Sequence, residues 1–551
     1  MSPFSSPVAS ARGRDPHGES DGPRLPLPRL VALALLLGLL AACTPPAPAP
    51  PPAPTDETVR IQVVHNSDFH GRLMPQVSNG DTVGGSALMA AHLDSLRAGF
   101  DGPTIVVSGG DILQGTAISN LAWGRPSIDV HNRKGLDASA LGNHEFDWGL
   151  DTLRVRVEES EFHWLGANVY LEGTLQHPEW ARPWVVLERD GIRIGVIGVA
   201  LATTPEVVMA GQTDGLDFGS ESEAIDRSVR ELRYEDVDFV VVTGHVGAIC
   251  QFPGEAPEEP SRDCEGRAVE ILEELEEPVD LFLAGHTHLR NLTEVAGIPL
   301  LQAPAYSVAL TVTHLERRPG ERSEAVHRRI ISTDARSADP DTAMVRVVEE
   351  WAEAVRPIME EPVARLAAPM SNEERQPREN PAGNLLADAQ RWATGADVGL
   401  VNNGSLRRSL PEGDVSFGVL YEFQPFQNEL VTITVDGDLF REVLEFGLTD
   451  EGAPWVHLSG VQVAYDPDAP RGDRIAEIRR PDGTLVQGHD RVSIGTTEFL
   501  ATGGDGYEVL TRGRVEGTGI IDVDGLADYL RSLEDPVPVP EVGRWDPVAG
   551  G

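Results

Sequence analysis

Five short stretches of the sequence place carboxylate, amide or imidazole side chains directly after apolar runs. Each stretch contains glycine, which lets the backbone turn sharply and present a side chain. Together they offer oxygen and nitrogen ligands and no thiolate: Asp68, His70, Asp111, Asn143, His245, His286 and His288. Such ligands suit Zn, Mn, Fe or Co, and this many groups suit two ions rather than one. The sequence therefore predicts a site for two divalent metal ions.

The segment Leu141–Asp147 lies at the centre of this prediction. It reads Leu-Gly-Asn-His-Glu-Phe-Asp and brings an amide, an imidazole and a carboxylate into one turn. Burying such groups without partners costs about 1–3 kcal/mol each, and metal binding with acid–base chemistry explains the cluster. A lone histidine is more often structural, and that role is predicted for His92, His131, His163 and His457.

Apolar runs dense in valine and isoleucine predict the strands that carry the polar stretches. They are typical of strands buried on both faces of a layered α/β fold: Val59–Asn66, Thr104–Ser108, Ile192–Ala200, Phe239–Thr243 and Leu281–Ala284. A helical periodicity over Gly85–Arg97 predicts a helix between the first two strands. Sites in such folds collect beyond the carboxyl ends of the strands, which is where the polar stretches fall.

The polar stretches resemble the motifs of the calcineurin-like metallophosphoesterases. The matching motifs are Asp68-x-His70, Gly110-Asp111, Gly142-Asn143-His144-Glu145, Gly244-His245 and Gly285-His286-x-His288. The continuation Phe146-Asp147 is similar to the 5′-nucleotidase branch, which includes periplasmic UDP-sugar hydrolases. The resemblance implies an α/β fold in which a four-layer β-sandwich flanked by helices precedes a smaller α/β nucleotide-binding domain.

The same resemblance implies a role for each polar side chain. One metal ion would be held by Asp68, His70 and His288, the other by Asn143, His245 and His286, with Asp111 bridging them. A metal-bound hydroxide would attack the phosphorus atom, since two ions about 3.5–4 Å apart can hold it and clamp the phosphate. His144 would stabilise the transition state or protonate the leaving oxygen, with its tautomer fixed by Asp147. The alternative for this pair is a hydrogen bond with no kinetic role.

Segments of the second half resemble the 5′-nucleotidase C-terminal domain. They are Arg378–Leu385, Asn402–Arg407, Pro425-Phe426 and Glu498–Gly506. Phe426 and Phe499 would stack on a nucleobase, which contributes about 1–3 kcal/mol per base, although phenylalanine is usually a core residue. Asn402 and Arg407 would grip the substrate, and Asp505 would accept hydrogen bonds from ribose hydroxyls.

One position departs from the family pattern. Some relatives place an arginine seven residues before the glycine that matches Gly383, where this sequence has Gln376. The flanking Arg375 or Arg378 could supply the substrate contact instead, and both are kept as candidates.

The chain divides into several predicted regions. Residues 58–335 form the metal domain, residues 336–361 a linker with a helix over Thr342–Met359, and residues 362–533 the substrate domain. The alternative is that this helix is simply the first helix of the second domain. No role is assigned to the acidic tail, residues 534–551.

The N-terminus has the features of an export signal. Arg24 and Arg29 precede the apolar run Leu30–Ala42, which at roughly a dozen residues is too short for a membrane span. Cys43 is the last residue of the predicted lipoprotein signal region (residues 1–43). It follows small residues, as in the lipobox of bacterial lipoproteins, and is predicted to be acylated and to become the new N-terminus. The alternative is an ordinary signal peptide with an incidental cysteine.

Export has consequences for the rest of the chain. Residues 44–57, rich in proline and alanine, would form an extended tether that holds the folded body away from the membrane. Cys250 and Cys264 are predicted to form a disulfide in an oxidising compartment. The predicted location is the bacterial cell envelope, periplasmic or at the cell surface, with a lipid anchor in the membrane.

Charge excludes one class of partner and constrains the substrate site. The formal net charge is −42, whereas sequence-independent binding of nucleic acid requires a basic surface. An anionic substrate is repelled by the overall field, so a phosphate site must supply local positive charge from metals and arginines.

The sequence thus predicts an exported, two-domain hydrolase that removes the 5′-phosphate from nucleotides. One domain would carry the metals and the other the base pocket, so turnover would require the domains to meet, by rotation at the linker helix. Close rivals are UDP-sugar diphosphatase and 2′,3′-cyclic-nucleotide phosphodiesterase activities, with thiosulfate-ester chemistry a distant one. A different class is a lipoprotein that binds nucleotides or metals without turnover. A monomer is predicted, with a dimer left open.

Overall fold

The computed structural model describes residues 58–78, 80–251, 259–372 and 378–548. The predicted signal segment with Cys43, the tether and Arg375 lie outside the described residues. Among the helices of the described ranges, none is both long enough and apolar enough to cross a membrane.

The predicted valine-rich runs form the centres of two six-stranded sheets. In the first sheet the order is β18 (Glu324–Ser332), β17 (Ala309–Arg317), β1 (Val59–Asn66), β4 (Thr104–Ser108), β5 (Ala138–Ala140) and β6 (His163–Leu165). In the second it is β15 (Asn291–Val295), β16 (Ile298–Gln302), β14 (Leu281–Leu283), β11 (Phe239–Gly244), β9 (Ile192–Val199) and β8 (Trp184–Arg189). Strands β1, β4, β5 and β6 run parallel, as do β9, β11, β14 and β16.

Helices cover the outer face of each sheet. The inner faces share one apolar core, in which Val63 of β1 packs with Val196 and Val241 of the second sheet. The next residue, Val64, faces the outer helices, so the prediction of strands buried on both faces is confirmed. The helices of this half are α1 (Ser86–Ala98), α2 (Ala117–Asn120), α3 (Arg125–Lys134), α4 (Gly149–Glu159), α5 (Glu221–Leu232) and α6 (Arg267–Glu274). The four-layer sandwich predicted from the family resemblance is present.

Three two-stranded ribbons and three 3₁₀ turns complete this half. The ribbons pair β2 (Gln76–Ser78) with β3 (Asp81–Val83), β7 (Val169–Leu171) with β10 (Leu216–Phe218), and β12 (Ile249–Gln251) with β13 (Arg262–Glu265). The 3₁₀ turns are Asn143–Glu145, Thr204–Glu206 and Arg233–Glu235.

A linker helix, α7 (Thr342–Met359), has the predicted bounds. Its buried residues Met344, Val347 and Val348 pack on the first sheet's helical layer. At its other end, Met359 meets Gly418 of the second half. The helix therefore contacts both halves.

The second half is a smaller α/β unit. Its main sheet has the order β23 (Val456–Ser459), β20 (Val398–Asn402), β26 (Arg491–Thr497), β22 (Glu429–Asp436) and β27 (Arg514–Ile521). Strand β19 (Pro362–Leu366) pairs with β21 (Gly413–Ser416). A three-stranded sheet has the order β25 (Ile475–Arg479), β24 (Gln462–Tyr465) and β28 (Trp545–Pro547). The helices are α8 (Pro381–Thr394), α9 (Phe417–Phe423), α10 (Gly437–Phe446), α11 (Glu498–Ala501) and α12 (Asp522–Ser532), with 3₁₀ turns at Asn403–Ser405, Gly504–Gly506 and Glu508–Arg512.

The C-terminal tail belongs structurally to this second unit. The domain was predicted to end at residue 533, yet Val537 is fully buried and Trp545 nearly so. Strand β28 pairs with β24, and Arg544 forms an ion pair with Asp388. Val537 and Trp545 bury their apolar side chains in this unit. The acidic composition of the tail gave no indication of this packing.

Candidate active site

The seven predicted ligands lie together at one edge of the sandwich. Asp68, Asp111 and Asn143 follow the parallel strands β1, β4 and β5, while His245 and His286 follow β11 and β14. Parallel strands end at the same edge of a sheet, and the two sheets present these edges side by side. Segments spread over about two hundred residues therefore meet in one cluster.

Five of the seven predicted ligands have a strained backbone conformation. The φ angles are positive at Asp68 (53°), His70 (49°), Asp111 (53°), His286 (74°) and His288 (60°). Residues other than glycine rarely adopt this region, and such outliers persist only where surrounding structure enforces them. The sequence led us to expect glycine to make each turn. Gly71 (57°) and Gly110 (91°) do adopt this conformation, and five of the seven ligands adopt it as well.

One group of converging donor atoms contains Asp68, His70 and His288. The Nε2 atoms of His70 and His288 are 3.0 Å apart, and Nε2 of His288 lies 3.5 Å from Asp68 Oδ1. The ligand atoms of these three residues all lie within 4.8 Å of one another. This trio is the one that the family resemblance implies for the first metal.

A second group surrounds Asp111. His245 Nε2 lies 3.2 Å from Asp111 Oδ2, 3.0 Å from Asn143 Oδ1 and 3.2 Å from His286 Nδ1. The same Asp111 oxygen is 3.6 Å from His70 Nε2, so it lies between the two groups. The bridging role of Asp111 stays a prediction, which this position supports.

Hydrogen bonds fix the tautomers of two of these histidines. The Nδ1 atoms of His70 and His245 lie 2.8 Å from the carbonyl oxygens of Gln114 and Gly109 respectively. A carbonyl can only accept, so each Nδ1 carries the proton. In the neutral ring each Nε2 therefore directs a lone pair toward the cluster, which is the arrangement that metal-binding histidines require.

Electrostatics give an independent indication that this cluster requires positive charge. Burial raises the pKa of Asp68 to about 6. Burial alone would lower the pKa of His245, but Asp111 reverses this and raises it to about 9. The buried carboxylates thus stabilise a proton on His245, and oxygen and nitrogen donors without thiolate suit a divalent cation in its place. The residues fit the metals that the family resemblance implies.

Glu145 supports the cluster, although the sequence assigned it no role. Its carboxylate accepts hydrogen bonds from the backbone N–H groups of Asp111, Ile112, Leu113 and Gly142 at 2.9, 2.8, 3.3 and 2.6 Å. These bonds hold the strained Asp111 turn against the Asn143 turn. Its position next to His144 in the motif was the sequence feature that could have indicated this supporting role.

His144 and Asp147 form the predicted pair. His144 Nδ1 lies 2.8 Å from Asp147 Oδ2, and the His144 backbone N–H donates to Asp111 Oδ1 at 2.9 Å. Burial lowers the pKa of His144, but the carboxylates of Asp147 and Asp111 outweigh it, so that the net shift is upward. The other ring nitrogen remains available to a substrate.

A cavity of about 250 Å³ joins this pair to the second domain. The metal-domain side includes Asn143, His144, Asp147 and His286, and the second domain contributes Asn402, Arg407, Phe426, Phe499 and Asp505. Phe426 and Phe499 are half-buried and line the cavity, which agrees with the pocket prediction, while Phe499 also packs against the apolar core of the second unit. Val207, Val208 and Met209 also line the cavity, and nothing in their local sequence predicted this.

Hydrogen bonds and an aromatic contact order the substrate side of the cavity. Asn402 Nδ2 donates to Asp505 Oδ2 at 2.5 Å, and Ser405 Oγ donates to Asn402 Oδ1 at 2.5 Å. Burial raises the pKa of Asp505. The Arg407 guanidinium lies over the Phe426 ring, 5.2 Å from its centroid.

The remaining predicted residues have mixed outcomes. Arg378 is exposed and is not among the residues that line the cavity, while Arg375 lies outside the described residues. Cys250 and Cys264 form the predicted disulfide. His92 and His131 bond to backbone carbonyls, as structural histidines do.

Comparisons with known proteins decide the family. Residues 61–290 match the calcineurin-like phosphoesterase model, and residues 362–512 match the 5′-nucleotidase C-terminal domain. This chain belongs to the 5′-nucleotidase family. As a family member it is a metal-dependent phosphoesterase, a class of hydrolase, and the prediction of an enzyme is confirmed.

Individual relatives have low sequence identity to this chain but match most of its length. The 5′-nucleotidase of Vibrio cholerae is 25% identical over 572 residues, covering 95% of this chain and 98% of its own length. Endonuclease YhcR of Bacillus subtilis is 24% identical over an alignment that covers 89% of this chain. The same alignment covers only 41% of YhcR. The solved structure of a 5′-nucleotidase precursor from Thermus thermophilus, 24% identical, superposes with a TM-score of 0.77 over 89% of this chain and 100% of its own. That likeness confirms the fold.

Proposed function

We propose that this protein removes the 5′-phosphate from nucleotides. The observation that carries the proposal is the shared cavity, in which the His144–Asp147 pair and ligand residues Asn143 and His286 face Phe426, Phe499 and Asp505. A phosphatase for small or protein-bound phosphates has no need of two aromatic faces beside its acid. The cavity volume of about 250 Å³ suits a nucleoside better than a macromolecule.

Two divalent ions, Zn, Mn or similar, are proposed for the ligand cluster. Asp68, His70 and His288 would hold one, and Asn143, His245 and His286 the other, with Asp111 shared. When bound, such ions supply Lewis acidity and an activated water at neutral pH.

His144 is the proposed acid for the leaving group. Its pKa is raised by the carboxylates of Asp147 and Asp111 against the effect of burial, which favours the protonated ring, and Asp147 accepts from Nδ1 so that Nε2–H is the free donor. A nucleoside in the cavity would present its 5′-oxygen to this proton. Arg407 would offset phosphate charge from the opposite domain.

The second domain would select the nucleoside. Phe426 and Phe499 would stack on the base, and Asp505, anchored by Asn402, would accept the ribose hydroxyls. Both domains contribute to the cavity, so the two domains, 58–335 and 362–533, must meet for turnover. Rotation at the linker region, 336–361, would open the site for exchange.

Hydrolysis of three substrates, with the products separated by chromatography, tests the function. We expect adenosine and phosphate to form from AMP faster than any product forms from UDP-glucose or 2′,3′-cyclic AMP, to stop forming after chelation, and to return with added Zn or Mn. Faster formation of UMP and glucose 1-phosphate from UDP-glucose, or of a nucleoside monophosphate from the cyclic nucleotide, would select one of the rival activities of the same site. No metal-dependent product from any of them would instead support a binding lipoprotein.

Metal content tests the cofactor proposal separately. Elemental analysis of the purified protein should return two transition ions per chain. The Asp111→Asn variant should retain fewer, because a shared carboxylate supports both ions. One ion or none in the unmodified protein would contradict the dinuclear site.

Export and lipid anchoring are proposed from the N-terminal sequence, residues 1–57, and agree with the disulfide. Fractionation of expressing cells should place the protein with membranes, and Cys43→Ala should release it. Equal membrane association of both proteins would refute acylation at Cys43.

A further inference from the structure

A second, much smaller cavity adjoins the metal-ligand cluster. It measures about 20 Å³ and is lined by His70, Arg72 and Tyr306 of the metal domain and by Arg407 and Glu422 of the second domain. Arg407 also lines the nucleoside cavity, so the two spaces meet at its guanidinium. Nothing in the sequence predicted a role for Arg72.

Arg72 has an unusual environment for an arginine. Its guanidinium lies over the Tyr306 ring, 5.0 Å from the centroid, and its Nε is buried without a hydrogen-bond partner. The centroid of the Tyr306 ring in turn lies 5.8 Å from that of His70 and 5.5 Å from that of His288. The aromatic ring thus holds Arg72 beside two predicted metal ligands.

Arg72 and Arg407 form a matched pair across the domain boundary. Each lies over one aromatic ring, at 5.0 and 5.2 Å. Within the part of the chain that the structure describes, neither side chain forms an ion pair, although the protein has 87 acidic residues. Arginine stays charged even when half-buried, and a cation–π contact does not replace the lost water. Asp505 interacts electrostatically with Arg407, but within the described residues neither guanidinium group has a carboxylate at ion-pair distance.

The one carboxylate at this cavity is already neutralised. Glu422 forms an ion pair with Arg408, so its charge does not pair with Arg72 or Arg407. The cavity thus has two guanidinium groups without an ion pair, and it lies next to the predicted metal ligands. An anion is the missing partner, and the planar forks of the two arginines suit the oxygens of a phosphate.

The volume decides which part of a phosphate enters. A space of about 20 Å³ holds roughly one water-sized group, which is one oxygen and not a complete second phosphate. We propose that Arg72 and Arg407 form an anion subsite that binds an oxygen of the phosphate group lying at the metal-ligand cluster. This inference rests on the proposed function, and it makes Arg72 a new substrate-binding residue.

Phosphate binding to the metal-loaded protein tests the subsite without turnover. Calorimetry with inorganic phosphate on Mn-loaded protein should show affinity falling about 10- to 100-fold in Arg72→Ala, the loss expected for a charge-assisted hydrogen bond. Arg72→Lys should recover part of it, because the charge stays while the planar fork is lost. Adenosine binding should not change, since Arg72 does not line the nucleoside cavity.

Arg318→Ala is the matched control. Arg318 is exposed and pairs with Glu321 at the end of β17, and it does not line the subsite, so its removal changes the net charge equally. Phosphate affinity should be unaffected. Equal phosphate affinity in wild type and Arg72→Ala would overturn the inference, as would a parallel loss of adenosine binding in both Arg72→Ala and Arg72→Met, which would mark Arg72 as structural.

Kinetics with AMP and ADP separate the possible sources of the phosphate. Arg72→Ala should lower kcat/KM for both substrates by a similar factor, because one oxygen of the scissile phosphate occupies the subsite in each case. A loss at least tenfold greater for ADP would place the second phosphate there and overturn the assignment. If wild type releases no phosphate from AMP yet still binds inorganic phosphate through Arg72, the proposed function fails and the subsite stands.

Discussion

The histidines at this site differ in what they contact, and those contacts separate ligands from structural residues. His70 and His245 use Nδ1 on backbone carbonyls and leave Nε2 free to bind a metal. His144 uses Nδ1 on Asp147, which suits a proton donor. His131 bonds to the Ser127 carbonyl of its own helix and lies within the apolar layer, where burial lowers its pKa.

Replacing His144 by alanine tests its role as the acid. We expect kcat for AMP to fall about 10²- to 10⁴-fold, the usual contribution of general acid catalysis, with two metal ions retained. The measurement is steady-state kinetics beside elemental analysis. Asp147→Asn should give a smaller loss because the imidazole remains, and an unchanged kcat in His144→Ala would reduce the pair to a structural contact.

Lys134 is the one lysine in the sequence, and it is buried. Its Nζ lies 4.8 Å from the Phe69 ring centroid and 3.7 Å from Met89 Sδ. Burial lowers its pKa from 10.5 to about 7. The unfolded chain therefore binds this proton more tightly, so the group's contribution to the free energy of unfolding rises with pH from about 7 to 10.5.

Lys134→Met should accordingly stabilise the protein below pH 7. The gain should shrink as the pH rises toward 10, where the lysine is neutral in both states. Urea unfolding at pH 6 and pH 9 measures the difference. Arg133→Met, at an exposed neighbour paired with Asp129, should show no such trend, and a Lys134→Met protein less stable than wild type at pH 6 would contradict the account.

At the scale of elements, the Phe426 loop is held from both sides. The Pro425 carbonyl accepts hydrogen bonds from Asn120 Nδ2 at 2.9 Å and Gln114 Nε2 at 3.4 Å, both in the metal domain. On the other side, the Asp522 backbone N–H, where α12 begins, donates to the Asn428 carbonyl at 2.9 Å. Because the Gln114 carbonyl also orients His70, one turn connects a metal ligand to the base pocket.

Asn120→Ala should therefore weaken recognition of the base. We expect KM for AMP to rise about 3- to 10-fold, corresponding to one hydrogen bond of about 1 kcal/mol, while KM for ribose 5-phosphate stays constant. Phe426→Ala should show the same selectivity. Asn168→Ala, at a buried asparagine bonded to the Ala200 and Gly219 carbonyls of the metal domain, serves as the control for burial, and an equal rise for both substrates would exclude the base-pocket role.

The ribbon of β12 and β13 depends on its disulfide. Cys250 and Cys264 close a loop with a sequence separation of 14, for which loop entropy predicts a stabilisation of about 3 kcal/mol. Cys250→Ser with Cys264→Ser should lower the melting temperature by calorimetry and leave KM for AMP unchanged. A shift in KM without a change in melting temperature would indicate that the ribbon acts at the site instead.

At the scale of the whole molecule, charge opposes the proposed substrate. The net charge of −42 repels a nucleotide at long range, while Arg72, Arg407 and the proposed metal ions would attract it only at short range. Salt screens exposed charges over a Debye length of about 10 Å at 0.1 M and buried pairs much less. Screening should therefore remove more repulsion than attraction.

Activity should rise with ionic strength as a result. Raising NaCl from about 10 to 150 mM should increase kcat/KM for AMP, the reverse of enzymes that attract their substrates electrostatically. Binding of uncharged adenosine should not respond to salt. A fall in kcat/KM over this range would show that the local arginines dominate the approach of the substrate.

Residue patterns in the sequence were enough to predict the strands, the candidate ligands and the family. Each metal motif lies within a few residues of one apolar run, and periodicity and glycine-flanked turns are local properties that a sequence displays directly. The bounds predicted for β1, β4 and α7 agree with the structure for that reason.

Tertiary structure alone decided which distant side chains meet. Arg72 reaches the cavity that Arg407 lines, Asn120 bonds to Pro425, and the tail completes the second domain through Trp545. Arg378, which the motif favoured, is exposed instead. These contacts depend on how distant elements pack against one another in the folded protein. The spacing of residues along the sequence does not show that packing.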